Sequence, residues 1–409
     1  MKQAKIVVGV LFAALVVFLA CFFCSKTADE PSVETGRRPS VIAKARPATV
    51  RRHRQERMFR ETGPEPSEAE QDPVFDVGGK RFRSLQEAVD AAKDGDTITM
   101  TGDAYVRNPV EVRKSLNFDL NGFRLVAKNL KLARKGRRGR FSEGAHAITV
   151  FGDKQVTVEN GFIDVDSNGG KGGFSGAVET VPDPAAEVVQ KPANDDWKFD
   201  TVLRDLVVTS DASRDAAFRN AEGKMLIDNC AVNATGGNGS YTIGQGSETT
   251  IRNCDFNTTG TDDDRPWWNN TIAVAYDGKA VVESGTYVTR LAEGVEGTTY
   301  GAFVYSSGGT IEVKGGEFQA DEVVRTTKDM AAYGEEYGVS EVVVKDGVLS
   351  GKMVSSQTGM DADAEAFSGV SAYGGVYDNA PTAEQLPEGR AVVDYGDGTY
   401  SVKSVEPAR

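Results

Sequence analysis

The sequence predicts an all-β fold: a right-handed, single-stranded parallel β-helix, a solenoid whose N-terminal end is covered by a short helix. Three observations predict this fold. Glycine supplies 45 of the 409 residues, about 11% against a usual ~7%, which indicates many tight turns. A β-rich pattern recurs at intervals of 24 to 45 residues, and the repeats have no room for a helix. Periods in this range are typical of stacked supersecondary units.

Each repeat is a β-branched or apolar run followed by Asn, Asp, Ser or Gly, then Gly or Cys, any residue, and an aromatic or aliphatic side chain. The Gly or Cys marks the repeat, with Leu206 as a degenerate member, and the marks are Gly122, Gly161, Leu206, Cys230, Cys254, Gly285, Gly316, Gly347 and Gly375. Their spacings are 39, 45, 24, 24, 31, 31, 31 and 28 residues. Leucine-rich, ankyrin and tetratricopeptide arrays are excluded because their repeats need a helix, and a propeller needs about 40 residues per blade.

Matching residues of successive coils should stack. With coils ~4.8 Å apart, about ten coils make a rod on the order of 50 Å long. The 24-residue spacing predicts internal amide ladders and stacked small residues at Asn229 over Asn253, Cys230 over Cys254 and Asn233 over Asn257. Parallel side chains rarely reach the dihedral of ~90° that a disulfide needs. Cys230 and Cys254 are therefore expected to be inward, reduced thiols, although an oxidising compartment would permit a bridge.

The ordered region begins with a compact block between residues 74 and 100. A short strand and a Gly78-Gly79 turn precede a helix. We expect a capping box between Ser84 and Glu87, and one apolar face is formed by Leu85, Ala88, Val89 and Ala92. Gly95 is expected to end this helix, and residues 97–100 are predicted to form the first buried strand.

Four segments carry a family resemblance. "SLQEAVDAAKDGDTITM" at 84–100 and "LNFDLNGFRL" at 116–125 resemble the entry to the pectate-lyase-like right-handed parallel β-helix proteins. "IEVKGGEFQ" at 311–319 and "YGDGTYSV" at 395–402 resemble the β-helical, adhesin-like surface proteins of bacteria. The resemblance covers about residues 74–403 and implies the fold. It leaves the activity open, since the superfamily includes lyases, hydrolases, epimerases and non-enzymatic surface proteins.

Composition and charge restrict the function. Residues 1–62 carry a net charge of +7 and residues 63–409 a net charge of −20. The acidic body argues against nucleic acid as the main partner, because that binding depends on clustered Lys and Arg. Four cysteines are too few for a disulfide scaffold, and they do not form the two CxxC pairs of a zinc ribbon. Only His53 and His146 are histidines, which excludes metal sites built on several histidines.

The chain divides into four predicted parts. Residues 1–24 form a transmembrane anchor or signal segment, because the apolar run from Ile6 to Cys24 just spans a bilayer core of ~30 Å. A cleaved signal peptide and a lipoprotein acylated at Cys21 are the alternatives. Residues 25–72 form a flexible basic, Pro-rich stalk, residues 73–403 the β-helix, and residues 404–409 a tail. Lys2 and Lys5 should stay inside, which places the body outside the cytoplasm, at the cell surface; it is secreted if the segment is cleaved.

The catalytic signatures implied by the resemblance are not met. The polygalacturonase-like pattern needs Gly-His-Gly, whereas His146 lies between two alanines and is interpreted as a partly buried or turn residue. A pectate-lyase mechanism needs carboxylates for Ca²⁺ and a basic residue. Asp262, Asp263 and Asp264, followed by Arg265, have these residue types. Three contiguous acids are more typical of a solvated turn. No residue is assigned as catalytic, and no cofactor is expected apart from Ca²⁺ at this acidic cluster.

Two segments are candidates for binding. A glycan could stack on the paired indoles of Trp267 and Trp268 and form hydrogen bonds with the adjacent side-chain amides of Asn269 and Asn270. A polyanion such as an acidic polysaccharide could bind the cations Lys131, Arg134, Lys135, Arg137, Arg138 and Arg140. Residues 169–198, rich in Gly, Pro, Asp and Ala, are interpreted as a side-loop insertion.

These features predict a membrane-anchored, extracytoplasmic surface protein that binds or adheres without catalysis, with glycan as its ligand and residues 6–24 as its membrane contact. One alternative is a polysaccharide lyase or glycoside hydrolase. A second alternative is a purely structural surface or envelope protein. Nucleic acid is not expected as a partner.

Overall fold

The structure is a computed structural model that describes residues 71–128, 130, 145–152, 154–166, 175–183, 199–211, 215–261, 270–305, 308–328, 340–357 and 369–405. Its strands lie in one compact unit, residues 59–404, and stack as a parallel β-solenoid of ten coils. The predicted all-β class and the parallel stacking are confirmed. No helix within the described part is both long and apolar enough to span a membrane. The predicted anchor and nearly all of the stalk lie outside the described residues.

The first sheet contributes one strand to each coil, with strands numbered in chain order. Most of its members alternate buried and partly exposed side chains, as expected for a sheet with one face on the core. In stacking order the members are β3 (Thr97–Met100), β6 (Leu116–Asp119), β9 (Val156–Asp166), β11 (Thr201–Ser210), β13 (Lys224–Asp228), β16 (Glu248–Arg252), β19 (Lys279–Val282), β22 (Gly309–Val313), β24 (Ser340–Val344) and β26 (Val370–Ala372). Strands β13, β16 and β19 instead each bury three consecutive residues.

The second sheet follows the first after a short turn, and β9 and β11 run through both sheets. Its members are β4 (Ala104–Val106), β7 (Arg124–Lys128), β9, β11, β14 (Ala231–Thr235), β17 (Cys254–Gly260), β20 (Gly285–Leu291), β23 (Glu317–Lys328), β25 (Val348–Gln357) and β27 (Val376–Tyr377).

The third sheet is completed by β23 and β25, which continue into it from the second sheet. Its other members are β5 (Val110–Val112), β8 (Ala145–Phe151), β10 (Ser175–Val181), β12 (Ala216–Asn220), β15 (Asn238–Ile243), β18 (Asn270–Ala275) and β21 (Tyr300–Val304). Every residue of β8, β10, β12, β15, β18 and β21 is buried. The outer surface of this sheet is therefore covered, unlike that of the other two.

From Gly161 to Gly375, the repeat marks found in the sequence occupy equivalent positions in the structure, whereas Gly122 is out of register with Gly161, because Arg124 pairs with Phe162. Gly161 pairs with Leu206, and Cys254 pairs with Gly285. The residues next to the remaining marks from Leu206 to Gly375 pair in the same register. The degenerate mark at Leu206 and its spacings of 45 and 24 residues are thus confirmed.

The turn between the first and second sheets explains why Asn precedes the mark. Asn160, Asp205, Asn229 and Asn253 all adopt positive φ, between 51° and 63°, a conformation that Asn and Asp tolerate better than other non-glycine residues. The Asn229 amide donates to the Asp205 carboxylate of the preceding coil. In the later coils the mark itself, beginning with Gly285 at φ 132°, takes the positive φ.

The predicted internal amide ladder at Asn229 and Asn253 is wrong, because both side chains are exposed at the turn. An internal polar ladder lies instead in the third sheet. Thr180 Oγ1 donates to Asn220 Oδ1 at 2.7 Å, and Asn220 Nδ2 donates to Thr249 Oγ1 at 3.1 Å. These hydrogen bonds satisfy the Asn220 amide inside the solenoid, as buried polar groups require.

The core is a continuous apolar column that runs through all ten coils. Its second-sheet row includes Phe256, Tyr287 and Phe318, which pair in register on neighbouring coils. The rings of Phe256 and Tyr287 are edge to face at 5.6 Å, and those of Tyr287 and Phe318 are stacked at 4.6 Å. The Tyr287 hydroxyl donates to the Ser284 carbonyl at 2.7 Å, so its polar atom has a partner inside the core.

Antiparallel strands cover both ends of the solenoid. At the N-terminal end, β1 (Phe75–Val77) pairs with β2 (Lys80–Phe82) and with β3. Helix α1 (Leu85–Ala91) buries Leu85, Ala88 and Val89 against the core, as predicted. At the C-terminal end, a 3-10 helix (Ala383–Gln385) precedes the hairpin of β28 (Arg390–Asp394) and β29 (Tyr400–Ser404), and β29 pairs with β27.

Two details of the N-terminal prediction are corrected. Ser84 is the N-cap residue of α1, but its side chain makes no capping hydrogen bond, so the capping box is absent. The helix ends with Ala92 as its C-cap, before Gly95. The Gly95 N–H instead donates to the Ser115 carbonyl at 2.7 Å, in the turn that leads into β3.

The stacked cysteines follow the sequence prediction. Cys230 and Cys254 are unbridged and 1% and 0% exposed. The Cys230 N–H donates to Cys254 Sγ at 3.4 Å, and Cys254 Sγ donates to the Arg252 carbonyl at 3.1 Å. Burial raises the pKa of the Cys230 thiol well above its usual value. The Cys230 thiol therefore has little thiolate character, and both cysteines pack as small core groups.

We expect both thiols to resist thiol reagents until the protein unfolds. Native-state titration should detect neither Cys230 nor Cys254, whereas both should react at once in denaturant. Cys254→Ser should lower stability by about 1–3 kcal/mol, because a hydroxyl replaces a sulfur in an apolar stack. Rapid labelling of either thiol in the native protein would contradict the coil register.

Candidate functional site

Four charged side chains meet beneath the outer surface of the third sheet. His146 comes from β8, Glu179 from β10, Asp215 from the residue before β12, and Arg219 from β12 itself. Their exposed fractions are 0%, 0%, 1% and 4%. We refer to these four residues as the buried charge cluster. Charged groups are almost never this deeply buried unless they are paired.

Glu179 is the centre of this cluster. His146 Nδ1 lies 3.2 Å and Arg219 Nη1 lies 3.3 Å from its Oε2 atom. Thr149 Oγ1 donates to the other carboxylate oxygen, Oε1, at 2.9 Å. Asp215 completes the cluster, because its Oδ2 lies 3.8 Å from Arg219 Nη1 and 3.9 Å from His146 Nε2.

The lack of a side chain at Gly176 makes room for the His146 imidazole. Gly176 pairs with His146 in the neighbouring coil, and a Cβ at Gly176 would lie 2.5 Å from His146 Nε2. The absence of a side chain lets the imidazole cross this strand and approach the Ala216 carbonyl at 3.3 Å. One imidazole nitrogen thus faces a carboxylate and the other a carbonyl, which suits the protonated ring with two N–H donors.

The pKa values follow from this arrangement. Burial alone would lower the pKa of His146, but the charge and hydrogen bond of Glu179 and the charge of Asp215 outweigh burial and raise it above 6.5. Burial alone would raise the pKa of Glu179, but His146, Arg219 and Thr149 hold it below its usual value. Burial raises the pKa of Asp215, and the Arg219 and His146 charges offset this only partly. The shifts of His146 and Glu179 thus favour their charged forms, whereas the shift of Asp215 favours the neutral acid.

Sequence reasoning missed most of this cluster. Residues 169–198 were interpreted as a side loop, but they contain β10, a buried strand that carries Glu179. His146 was interpreted as a partly buried or turn residue, whereas it lies within β8 and is fully buried. The run from Ala177 to Val181 has strand character, but no Asn-Gly mark accompanies it.

Of the four predicted glycan-binding residues, the structure describes only Asn270. It is 0% exposed, and its Nδ2 donates to Asn238 Oδ1 at 2.9 Å and to the Tyr305 hydroxyl at 3.2 Å. Tyr305 belongs to an aromatic group on the same sheet, in which it packs edge to face on Tyr241 at 5.8 Å. Asn270 therefore holds this buried group together and has no surface for a ligand.

The remaining candidates lie outside the described residues. They are the indoles and amide Trp267, Trp268 and Asn269, the acids Asp262, Asp263 and Asp264, and the cations Lys131, Arg134, Lys135, Arg137, Arg138 and Arg140. Within the described ranges, no group of three or more His, Cys, Asp or Glu side chains is placed to hold a metal ion.

The second sheet carries small polar side chains on its outer surface. Thr209, Asn233 and Asn257 pair in register on three successive coils, and Thr235 pairs with Thr259 beside them. Thr209, Thr235 and Asn257 are exposed, and the other two are half-buried. Asn233 and Asn257 thus stack as predicted, but outward and not inside the core. We call these five residues the polar face.

The first sheet carries a row of charges beside its turn to the second sheet. Glu159, Arg204, Asp228 and Arg252 pair in register on successive coils, and Glu283 follows on the next coil. The signs alternate along this row. Arg252 Nη2 lies 2.9 Å from Asp228 Oδ2, and Arg204 contacts Glu159. We call these five residues the charge row.

No protein-family model, no curated protein and no solved structure matches the chain.

Proposed function

We propose that the protein is a non-catalytic binding protein, held outside the cytoplasm by its N-terminal segment, whose solenoid binds a glycan on the polar face. The proposal extends to the finer architecture, a right-handed β-helix related to the adhesin-like, pectate-lyase-like surface proteins. The observation that carries the proposal is the polar face itself, where amide and hydroxyl side chains repeat in register on adjacent coils.

The polar face has the chemistry that a polysaccharide needs. Neighbouring coils are ~4.8 Å apart, so Thr209, Asn233 and Asn257 offer hydrogen-bond donors and acceptors at regular intervals. Amides and hydroxyls both donate and accept, which matches sugar hydroxyls. Two of these three side chains are exposed, so an extended polymer could reach them without moving the backbone.

The buried charge cluster supports a binding role over catalysis. A general acid or base must come within about 3 Å of the proton it transfers. His146, Glu179 and Asp215 are each at most 1% exposed, and their polar atoms contact one another. Their chemistry is consistent with stabilising the third sheet, as charges that are buried and paired do.

Glycan-array binding by the full chain tests the proposal, with polysaccharides added with and without Ca²⁺. Absorbance at 235 nm reports unsaturated products, and reducing ends report hydrolysis. Binding without turnover is the expected result. Turnover would support the lyase or hydrolase alternative and overturn the proposal, and failure to bind any glycan would favour a purely structural protein.

A pair of matched variants locates the site. Thr209→Ala combined with Asn233→Ala removes two stacked polar side chains from the polar face. Each hydrogen bond contributes about 0.5–1.5 kcal/mol, so we expect at least fivefold weaker binding. The control, Asn117→Ala with Thr157→Ala, removes the same residue types from registered positions of the first sheet and should change binding less than twofold. Equal losses from both pairs would contradict the assignment to the polar face.

A further inference from the structure

The alternation of charge on the first sheet ends near the C-terminal end of the solenoid. Val282, Val313 and Val344 pair in register, so the residues that follow them, Glu283, Lys314 and Lys345, occupy equivalent positions. Two lysines therefore stack on adjacent coils where the charge row would place opposite signs. Like charges at directly opposed positions are destabilising, so each of these lysines is better accommodated beside an anion.

Lys345 and Arg390 meet at one aromatic ring. Lys345 Nζ lies 3.8 Å from the centre of the Tyr373 ring, and Arg390 Cζ lies 5.7 Å from it. Tyr373 occupies the next position of the same row, since its N–H donates to the Val344 carbonyl at 2.8 Å. Arg390 reaches the ring from β28, the first strand of the C-terminal hairpin. Two cations from separate parts of the chain thus converge on one side chain.

The charges of these two cations are not balanced within the described part of the chain. Lys314 Nζ lies 3.8 Å from Glu312 Oε2, so that lysine has a carboxylate partner. No described carboxylate forms an ion pair with Lys345 or Arg390. The Lys345 side chain is exposed and those of Tyr373 and Arg390 are half-buried, so a ligand can reach the group from solvent.

We propose that Lys345 and Arg390, both packed against Tyr373, form a binding site for the phosphoryl group of a phosphomonoester. The site lies where the first sheet meets the C-terminal hairpin, and it does not depend on glycan binding at the polar face. A phosphomonoester carries about 1.5 to 2 negative charges at pH 7. It therefore matches these two cations, which have no carboxylate partner among the described residues, better than a single carboxylate does. Arg offers a planar fork of donors and Lys a mobile point charge, and both suit phosphate oxygens.

The direct test is titration of the full chain with hexose 6-phosphate at about 50 mM salt, where screening is moderate. Lys345→Gln combined with Arg390→Gln should weaken binding at least tenfold. The control, Lys279→Gln, removes a cation of the same sheet that pairs with Glu248 at 3.7 Å, and it should change affinity less than twofold. Thermal melting of each variant should show that the fold is intact.

The charge of the ligand gives a second test. The second phosphate pKa is about 6, so affinity at pH 5 should be at least threefold lower than at pH 7.5. A hexuronate, which keeps one charge, should bind at least tenfold more weakly at pH 7.5. Equal binding of the hexuronate, or an equal loss in Lys279→Gln, would show general attraction to anions and overturn the proposal.

The source of the phosphoryl group can be separated with three probes. Inorganic phosphate binding as tightly as the hexose phosphate would show that the phosphoryl group alone is recognised. Tighter binding of the hexose phosphate than of inorganic phosphate would indicate that the ligand is a phosphorylated glycan. Tightest binding of phosphatidic acid vesicles would indicate a lipid headgroup. Each of these results supports the site if the double variant, Lys345→Gln with Arg390→Gln, abolishes binding of the probe in question. Tightest binding of duplex DNA, a phosphodiester, would overturn it.

Discussion

Glu179→Gln is expected to lower the free energy of unfolding by about 3–5 kcal/mol, the range for breaking a buried ion pair by removing one partner. The change keeps the shape of the side chain but leaves the His146 and Arg219 cations facing only Asp215, at 3.9 and 3.8 Å. Urea unfolding followed by circular dichroism measures the change. The loss should be larger than for any single substitution in the charge row.

Glu159→Gln is the matched control for this prediction. Glu159 also contacts an arginine, Arg204, but the side chains are 19% and 51% exposed. Exposed ion pairs contribute about 0–1 kcal/mol, so the control should cost less than about 1 kcal/mol. If Glu159→Gln proves as costly as Glu179→Gln, the buried charge cluster does not stabilise the third sheet as described.

The same cluster makes stability depend on pH. Because the pKa of folded His146 is raised above 6.5, its contribution is complete below pH 6.5 and is lost as the pH rises through the folded value. Because the pKa of Glu179 is lowered from 4.5, its contribution is complete above pH 4.5 and is lost on acidification. Asp215 acts in the opposite sense to Glu179, because its pKa is raised. His146→Gln should therefore flatten the alkaline decline of stability.

Phe256→Ala should cost about 3–5 kcal/mol, the usual range for removing a buried aromatic ring. Phe256 is 0% exposed and packs between Phe218 and Tyr287, with ring centroids 6.5 and 5.6 Å away. Repeat proteins depend on contacts between neighbouring units. The loss of stability should therefore appear first as faster hydrogen exchange in β14 and β20, the strands of the adjoining coils.

Two further variants serve as controls for Phe256→Ala. Phe256→Leu keeps most of the apolar volume and should cost less than half as much. Phe82→Ala removes a half-buried ring from the N-terminal end and should cost about 1–2 kcal/mol, because less apolar area is lost. A cost for Phe256→Ala no larger than that for Phe82→Ala would contradict the position of Phe256 in the second-sheet row of the core.

The fold could be predicted because it repeats within the chain. The turn from the first to the second sheet needs a positive φ once per coil, so Asn-Cys at 229–230 and Gly-Gly at 315–316 appear at regular spacings. Whether an individual side chain points into the core or towards solvent was harder to predict. Asn229 and Asn253 lie outward because the residue with positive φ is at the corner, whereas Asn220, which has no repeat mark, carries the internal amide.

The buried charge cluster could not be predicted for a related reason. Its members His146, Glu179, Asp215 and Arg219 are 33, 36 and 4 residues apart, and the long insertions in these coils break the period. Only the register of β8, β10 and β12 brings them together. A spacing rule derived from the later, regular coils gives no position for Glu179.

The charge row has a consequence for how such a chain can gain or lose length. Because the signs alternate from Glu159 through Arg204, Asp228 and Arg252 to Glu283, deletion of one coil would bring two equal charges together. Deletion of two consecutive coils would leave opposite charges in contact. Within this row, removal or duplication of two coils should therefore be tolerated better than removal or duplication of one.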